Sequence, residues 1–398
     1  MALTMALADA ALKEDYQPAL REQLNNKSVL LSQIEMNSKD VEGRRAVLSL
    51  HVGRNSGVGA RAEGGTLPTA GQQGYAESRV TLKHNYGRIQ LNGQTIRAMK
   101  SDNGSFVRAI DSETKGVVRD LRQEVNRQCY NTAAQRIATC GTTSGSTEIV
   151  LASSTTATQM RHLAIGTVID VGTAGDPDSV TAAKTITAVN TSTKTITTAT
   201  SVTTSSSHFI SIAGSAGFQL TGLREIVAGS GTLFNVDPTA NSVWVSTTSS
   251  NGGTNRAATD NLFETVINDI QIASDEDPNL IMTSYGVARN YAAQLKSQKR
   301  YDKTNDLKGG FSGLSVSTGN VELTLATDKD CPENTAFVLN TAHLCQNQMS
   351  DWEFMDEDGS VLSRVSGVDA YEATLFKYHE LTTDMRNCHG IISDLTES

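Results

Sequence analysis

The residues best suited to acid–base, nucleophilic or metal chemistry are seven histidines, five cysteines and one short acidic run. The histidines (His51, His84, His162, His208, His343, His379, His389) are scattered, and no H-E-x-x-H or zinc-ligand spacing joins them. G-x-S-x-G is absent, and because the dipeptide Gly-Lys never occurs there is no phosphate loop. Cys388-His389 is the one adjacent thiol–imidazole pair. It sits beside Gly390 at a strand end and reads as a structural pair, not a nucleophile and base. The cysteines (Cys129, Cys140, Cys331, Cys345, Cys388) are odd in number and lack C-x-x-C. They are expected to be reduced thiols, as in an intracellular assembly environment. The acidic run Asp351, Glu353, Asp356, Glu357 and Asp358 lacks the D-x-D-x-D-G spacing of a calcium loop, and Asp358-Gly359 is a turn signal. No catalytic, cofactor-binding or metal site is expected, and nothing in the sequence supports an enzyme.

The charges are informative in another way. Over 75–101, Arg79, Lys83, Arg88, Arg97 and Lys100 stand against Glu77 alone, whereas 351–358 holds five acids and no base. This segregation marks the ten residues as a candidate subunit interface, in which a basic arm of one copy lies across an acidic neighbour. Opposite patches steer association and fix register more than they add affinity. The whole chain of 398 residues carries a net charge of −9, so it has no basic domain that would wrap nucleic acid by neutralising phosphates. No stretch approaches the ~18 apolar residues of a membrane span. The first residues lack the basic region of a signal peptide, so neither membrane nor secretory targeting is expected. Asn103-Gly104-Ser105 and Asn190-Thr191-Ser192 match glycosylation sequons and, without such targeting, read as coincidence.

Several elements must position these groups. Residues 1–45 read as mostly helical, with Leu20, Leu24, Leu31 and Ile34 at helical spacing and Pro18 near a helix start. Ala46–Val52 alternates as a strand, and a glycine-rich stretch from Gly53 to Gly74 reads as a linker or extended arm. Residues 75–101 read as strand, turn and strand, with Asn92-Gly93 as turn signal. Phe106, Ile110, Val117, Leu121, Val125 and Cys129 form one apolar stripe, which predicts a single long helix over 105–138 capped by Asp102 or Ser105. From Thr142 to Ala216, serine and threonine dominate. Ala183-Lys184-Thr185-Ile186-Thr187 echoes Thr193-Lys194-Thr195-Ile196-Thr197, so strand, Asn190 turn and strand of a small barrel or sandwich are expected. Beyond Gly217, helices are expected over Leu262–Ile272, capped by Asp260, and Tyr285–Ser297, capped by Ser284. Leu280–Met282, Val321–Leu325 and Ala336–Leu339 read as strands. A hairpin follows from Trp352 to Leu362, and Ala370–Leu381 extends the sheet. The mixture predicts an α+β fold.

This order of parts resembles the major capsid proteins of tailed bacteriophages, with the Hong Kong 97-type fold. The resemblance rests on several stretches: His51-Val52-Gly53-Arg54-Asn55, the run from Gly57 to Pro68, Tyr86-Gly87-Arg88-Ile89-Gln90-Leu91, Asn235-Val236-Asp237-Pro238 followed by Trp244, and Arg386-Asn387-Cys388-His389-Gly390-Ile391-Ile392. It covers nearly the whole chain except 142–216. It implies an N-terminal arm (1–63), an extended two-stranded loop (64–101) and the spine helix of a peripheral domain (102–141). A small β-rich insertion domain (142–217) follows, often exterior in such proteins, then a peripheral-domain return (218–254). An axial domain (255–345) and the closing peripheral hairpin and strands (346–398) complete it.

The resemblance further implies a homo-oligomer of hexamers and pentamers. They would form a closed icosahedral shell around double-stranded DNA, held without sequence-specific binding, in a virion capsid assembled in the host cytoplasm. A scaffolding protein, a portal and a decoration protein would be the partners. Some members lose an N-terminal scaffolding segment. The short arm ahead of the matching stretches sets the expectation of no such cleavage here. Some cross-link Lys to Asn, and Lys83 and Lys100 are available for that. The alternative is a phage or bacterial surface adhesion protein with a glycan-binding β-domain. It would need a cluster of aromatic side chains, and 142–217 offers only Phe209.

Overall fold

The computed structural model describes residues 28–43, 45–94, 103–132, 135–297, 304–307, 311–318, 321–356 and 359–397. Arg97, Lys100, Glu357, Asp358, Asp102, Pro18, Leu20 and Leu24 lie outside them. The described chain opens with α1 (Val29–Gln33), which buries Leu30 and Leu31, and continues through β1 (Glu35–Asn37) and β2 (Val41–Glu42). β3 (Arg45–Gly53) and β4 (Gly74–Thr81) pair antiparallel, with Ala46 opposite Val80 and Gly53 opposite Gly74. They form a ribbon whose connecting loop is the glycine-rich 54–73. β5 (Lys83–Asn92) follows β4 after one residue but pairs elsewhere, with a C-terminal strand. Of the strand, turn and strand expected over 75–101, the part after Gln94 lies outside the described residues, and β4 and β5 before it do not pair with one another.

α2 (Asn103–Cys129) spans 27 residues, about 40 Å at 1.5 Å per residue. It ends nine residues before the predicted Ala138. Ser105 lies inside its first turn. Val118, Leu121, Val125 and Cys129 are buried on its inner face. β5 can lie close beneath because Gly87 has no side chain. A Cβ there would stand 2.8 Å from Val117 Cγ1 and 3.2 Å from Leu121 Cδ2.

The serine- and threonine-rich stretch folds as a sheet with its own core. β6 (Ala138–Thr139), β7 (Thr143–Val150), α3 (Ala157–Arg161), β8 (Val168–Gly172), β9 (Thr181–Asn190), β10 (Thr195–Thr204) and β11 (Phe209–Ile212) follow in order. The sheet order is β6-β11-β8-β9-β10-β7. A bridge between Cys140 and Leu151 joins its two edges, so the sheet closes into a small barrel. The repeated segments are β9 and β10, adjacent and antiparallel, and the Asn190 side chain accepts from the Ser192 and Thr193 amides in the turn between them. Ile149, Leu163, Ile169, Ile186, Ile196 and Ile210 fill the interior, and on β10 the buried Thr198 and Thr204 place their hydroxyls on main-chain carbonyls. The chain returns at Gly222, which lies so close to Asn131 that a Cβ would meet the Asn131 backbone oxygen at 2.3 Å.

The remaining elements are α4 (Leu223–Ile226), β12 (Thr247–Ser249), α5 (Asp260–Ser274), β13 (Leu280–Thr283), α6 (Tyr285–Ser297), β14 (Thr304–Leu307), β15 (Phe311–Thr318), β16 (Val321–Thr327), β17 (Ala336–Leu339), β18 (Leu344–Gln348), β19 (Glu353–Phe354), β20 (Ser363–Arg364), β21 (Ala370–Thr383) and β22 (Gly390–Ile392). One sheet runs β12-β22-β17-β13-β16-β15-β14, and α5 and α6 bury Phe263, Ile267, Val287 and Tyr291 against it. Thr259, not Asp260, caps α5 by accepting from the Leu262 amide, while Asp260 accepts from the Tyr291 hydroxyl at 2.7 Å. Ser284 Oγ accepts from the Val287 amide at the start of α6.

The other sheet centres on β21, which pairs β18, β19 and β20 on one flank and β5 along its other flank. The hairpin expected from Trp352 to Leu362 resolves into β19 and β20, each paired to β21 and not to one another. Replacing Gly87 by Val should destabilise the protein by about 1–3 kcal/mol through overpacking beneath α2. Urea unfolding should show a lowered midpoint with an unchanged slope.

Candidate assembly surfaces

The ribbon of β3 and β4 is the most prominent surface feature. Its base is fixed: Leu50 and Val80 are buried, and the Arg79 amide donates to the Phe234 carbonyl at 3.0 Å. Phe234 and Asn235 have φ of 50° and 67°, forming a tight turn between the bridged residues Leu233 and Val236. Toward the loop the ribbon leaves apolar groups in solvent. Val58 is 66 % exposed, Leu67 81 % and Tyr75 70 %. Three large apolar groups on one narrow projection form a surface suited to a protein partner. Arg79 also lies here, its guanidinium held by Glu77 at 3.0 Å and both side chains exposed.

The candidate interface residues are thus divided among several places. Arg88 on β5 pairs with Glu372 of the same chain, and Lys83 Nζ donates to the Gly217 carbonyl at 2.9 Å. Asp351 accepts from Lys377 Nζ at 3.4 Å and from the Trp352 amide at 2.8 Å. Glu353 lies on β19 and is half-buried, as is Asp356, whose carbonyl accepts from the Gly359 amide in a turn. β5 and β19 lie on opposite flanks of β21, which keeps Lys83 and Arg88 apart from Glu353 within the chain.

Buried polar groups hold these surfaces in place, and periodicity alone did not reveal them. Lys377 is fully buried, with its ammonium 5.7 Å from the centre of the Trp352 ring. His379 is bonded by Asn85 at 3.0 Å and by Gln346, and burial and then Lys377 push it well below the usual imidazole range. Glu380 is 1 % exposed and accepts from the Thr221 and Leu381 amides at 2.7 and 3.0 Å. Burial lifts its carboxyl to about 8 despite those bonds. Arg386 is 1 % exposed and donates to the carbonyls of Glu225, Ile226, Ser230, Gly231 and Trp244 at 2.9–3.3 Å. Cys388 and His389 are both buried. Burial raises the thiol and pushes His389 down to about 3, and His389 Nδ1 accepts from the Asn340 amide at 3.3 Å.

A second polar cluster joins the parts. Asn126 of α2 donates to Asp328 at 2.9 Å and to Asp330 at 2.5 Å, just beyond β16, and contacts Ser28 ahead of α1. Asp330 also pairs with Arg161 and lies 3.0 Å from His162, at the end of α3 of the barrel. Among the described residues no group of three or more His, Cys, Asp or Glu is placed to hold a metal ion. No described helix is long and apolar enough to cross a membrane. Phe209, the aromatic of the 142–217 segment, is 2 % exposed and lies beneath Arg136, whose guanidinium stands 4.3 Å from the ring centre.

No family model and no curated protein matches the chain. Solved structures do. A chain of the cyanophage A-1(L) capsid asymmetric unit matches at 12 % identity with a TM-score of 0.58, over 94 % of each chain. The holo-SrpI encapsulin complex from Synechococcus elongatus PCC 7942 aligns at 8 % identity and a TM-score of 0.49, over 94 % of this chain and 89 % of that one. The capsid of an empty GTA particle aligns at 7 % identity and 0.49, over 93 % and 90 %. The fold assignment rests on the first. This chain has the fold of that phage capsid subunit, the Hong Kong 97-type α+β fold that its sequence resembles.

Arg386→Met should cost about 3–5 kcal/mol, because it leaves several buried main-chain carbonyls without their donor at about 1–3 kcal/mol for each that water cannot reach. Arg386→Lys should recover only part of it, because an ammonium cannot reproduce the planar fork. Chemical unfolding of both variants measures this. Glu380 binds its proton more tightly in the folded chain than the unfolded one. Its contribution is therefore full below about pH 4.5 and is lost as pH rises through about 8. Glu380→Gln should flatten this fall in unfolding midpoints compared at pH 5, 7 and 9. An unchanged slope would show that another group causes it.

Proposed function

We propose that the protein is a major capsid protein that assembles through many copies into the icosahedral shell of a tailed phage. The observation that carries this reading is the fold agreement over 94 % of both chains with the cyanophage A-1(L) capsid subunit. The projecting ribbon supports it, because apolar groups on an arm gain burial only against another chain. In this reading hexamers and pentamers close a shell around double-stranded DNA. A scaffolding protein, a portal and a decoration protein are its partners, and assembly takes place in the host cytoplasm before the subunit resides in the virion capsid. The acidic net charge suits a container whose contents must slide during packaging. Many weak contacts suffice, since closed symmetry multiplies them.

The charged residues Arg79, Lys83, Arg88, Arg97 and Lys100 of one copy then face Asp351, Glu353, Asp356, Glu357 and Asp358 of a neighbour. Within one subunit Arg79 and Arg88 keep side-chain exposures of 53 % and 57 %, enough to reach a second chain. The adhesion alternative gains no support, since Phe209 is buried beneath Arg136 and presents no platform to a glycan. Electron microscopy of the purified chain, alone and co-expressed with a scaffold, should show capsomers or closed shells. A strictly monomeric product under both conditions would refute the proposal. Lys83→Glu with Arg88→Glu should reduce the assembled fraction several-fold while circular dichroism stays native-like. Unchanged assembly would remove these cations from the interface.

A further inference from the structure

We infer that the joint between the β-barrel, α2 and the β16–β17 connection is a binding site for a phosphoryl oxyanion. A cavity of about 270 Å³ opens there, lined by Arg127, Arg136, Arg224, Tyr130, Asn131 and His162 among others. The charges around it are not balanced. Arg127 is spent on Glu124, in a two-point contact at 2.9 and 2.5 Å, and Asp330 on Arg161. Arg136 and Arg224 have neither an ion pair nor a hydrogen bond among the described residues, although both are solvent-accessible and line the same space. Glu333 is the remaining acid on the wall and pairs with neither.

Arg136 is also held in place. Its guanidinium lies over the Phe209 ring, which leaves the N–H edge directed away from the stack. Tyr130 also lines the cavity, but its buried hydroxyl faces the Asp328 carboxylate, so the two guanidinium groups are the donors left for an anion. Two guanidinium forks without an anionic partner thus line one cavity that is roomy enough for a phosphoryl group. Arginine forks match the paired oxygens of a phosphoryl group. Such an anion would tie the barrel to the α+β body across a joint that the chain itself closes with Asp330 and Arg161. This inference does not depend on the proposed function, because it concerns the single subunit.

The test is thermal unfolding of the full chain in 0–50 mM inorganic phosphate, with sodium chloride holding ionic strength constant. The midpoint should rise by several degrees, and the rise should be absent in Arg136→Gln/Arg224→Gln. Arg136→Lys/Arg224→Lys, which keeps the charge and loses the fork, should retain less than half of it. A parallel titration with a dithymidine phosphodiester separates the sources. A response to phosphate alone assigns a free phosphate, and a response to both assigns a backbone phosphate. No rise with either probe, an equal rise in chloride, or an undiminished rise in a folded Gln variant would overturn the site. Should the Gln variant fail to fold, isothermal titration of the wild type with phosphate decides, and the absence of saturable heat overturns it.

Discussion

The structure depends first on one buried cation without a carboxylate. Arg386 lies between the end of β21, which belongs to one sheet, and the start of β22, which belongs to the other. Its carbonyl partners come from 225–231 and Trp244, the path by which the chain returns from the barrel to β12. The guanidinium has five donors, and all are engaged by main-chain oxygens. A loop of irregular backbone is thereby buried without orphaned carbonyls, which would otherwise cost about 1–3 kcal/mol each. The relative placement of the two sheets, and hence of every surface attached to them, follows from this contact.

Around that centre the molecule separates rigid from presented parts. β21 is flanked along its length, and Lys377, His379 and Glu380 put buried polar groups inside it whose specific partners would be lost by a slip of one residue. The Asn126, Asp328 and Asp330 cluster does the same for the joint between α2, the barrel and the helix-backed sheet. The ribbon, by contrast, is held at its base and carries its apolar groups outward.

Much of this was legible in the sequence, for identifiable reasons. Strong periodicity gave α2, α5 and α6, and the Thr-Ile-Thr echo gave β9 and β10 with their Asn190 turn. Pairing was less legible. β4 and β5 are separated by one residue, yet β4 pairs back across the glycine-rich loop to β3 and β5 pairs with β21 nearly 300 residues later. Local turn signals cannot report a partner so distant. The end of α2 was misplaced because Ile137 and Ala138 are buried in the barrel, and so continue an apolar pattern after the helix has stopped. The candidate interface was legible as charge but not as geometry, since Lys83, Arg88 and Asp351 already have partners at home. Arg386 and Lys377 look like ordinary surface cations to any method that scores residue type.

The contact between Gly222 and Asn131 has a consequence for descent. The segment between them leaves and rejoins the body at two touching points, and its first and last strands, β6 and β11, are neighbours in one closed barrel. A unit with adjoining ends can be gained, lost or exchanged through a single recombination event while the register of the host sheets is left alone. The barrel can therefore change its outward face without disturbing the pairing of the body that carries it.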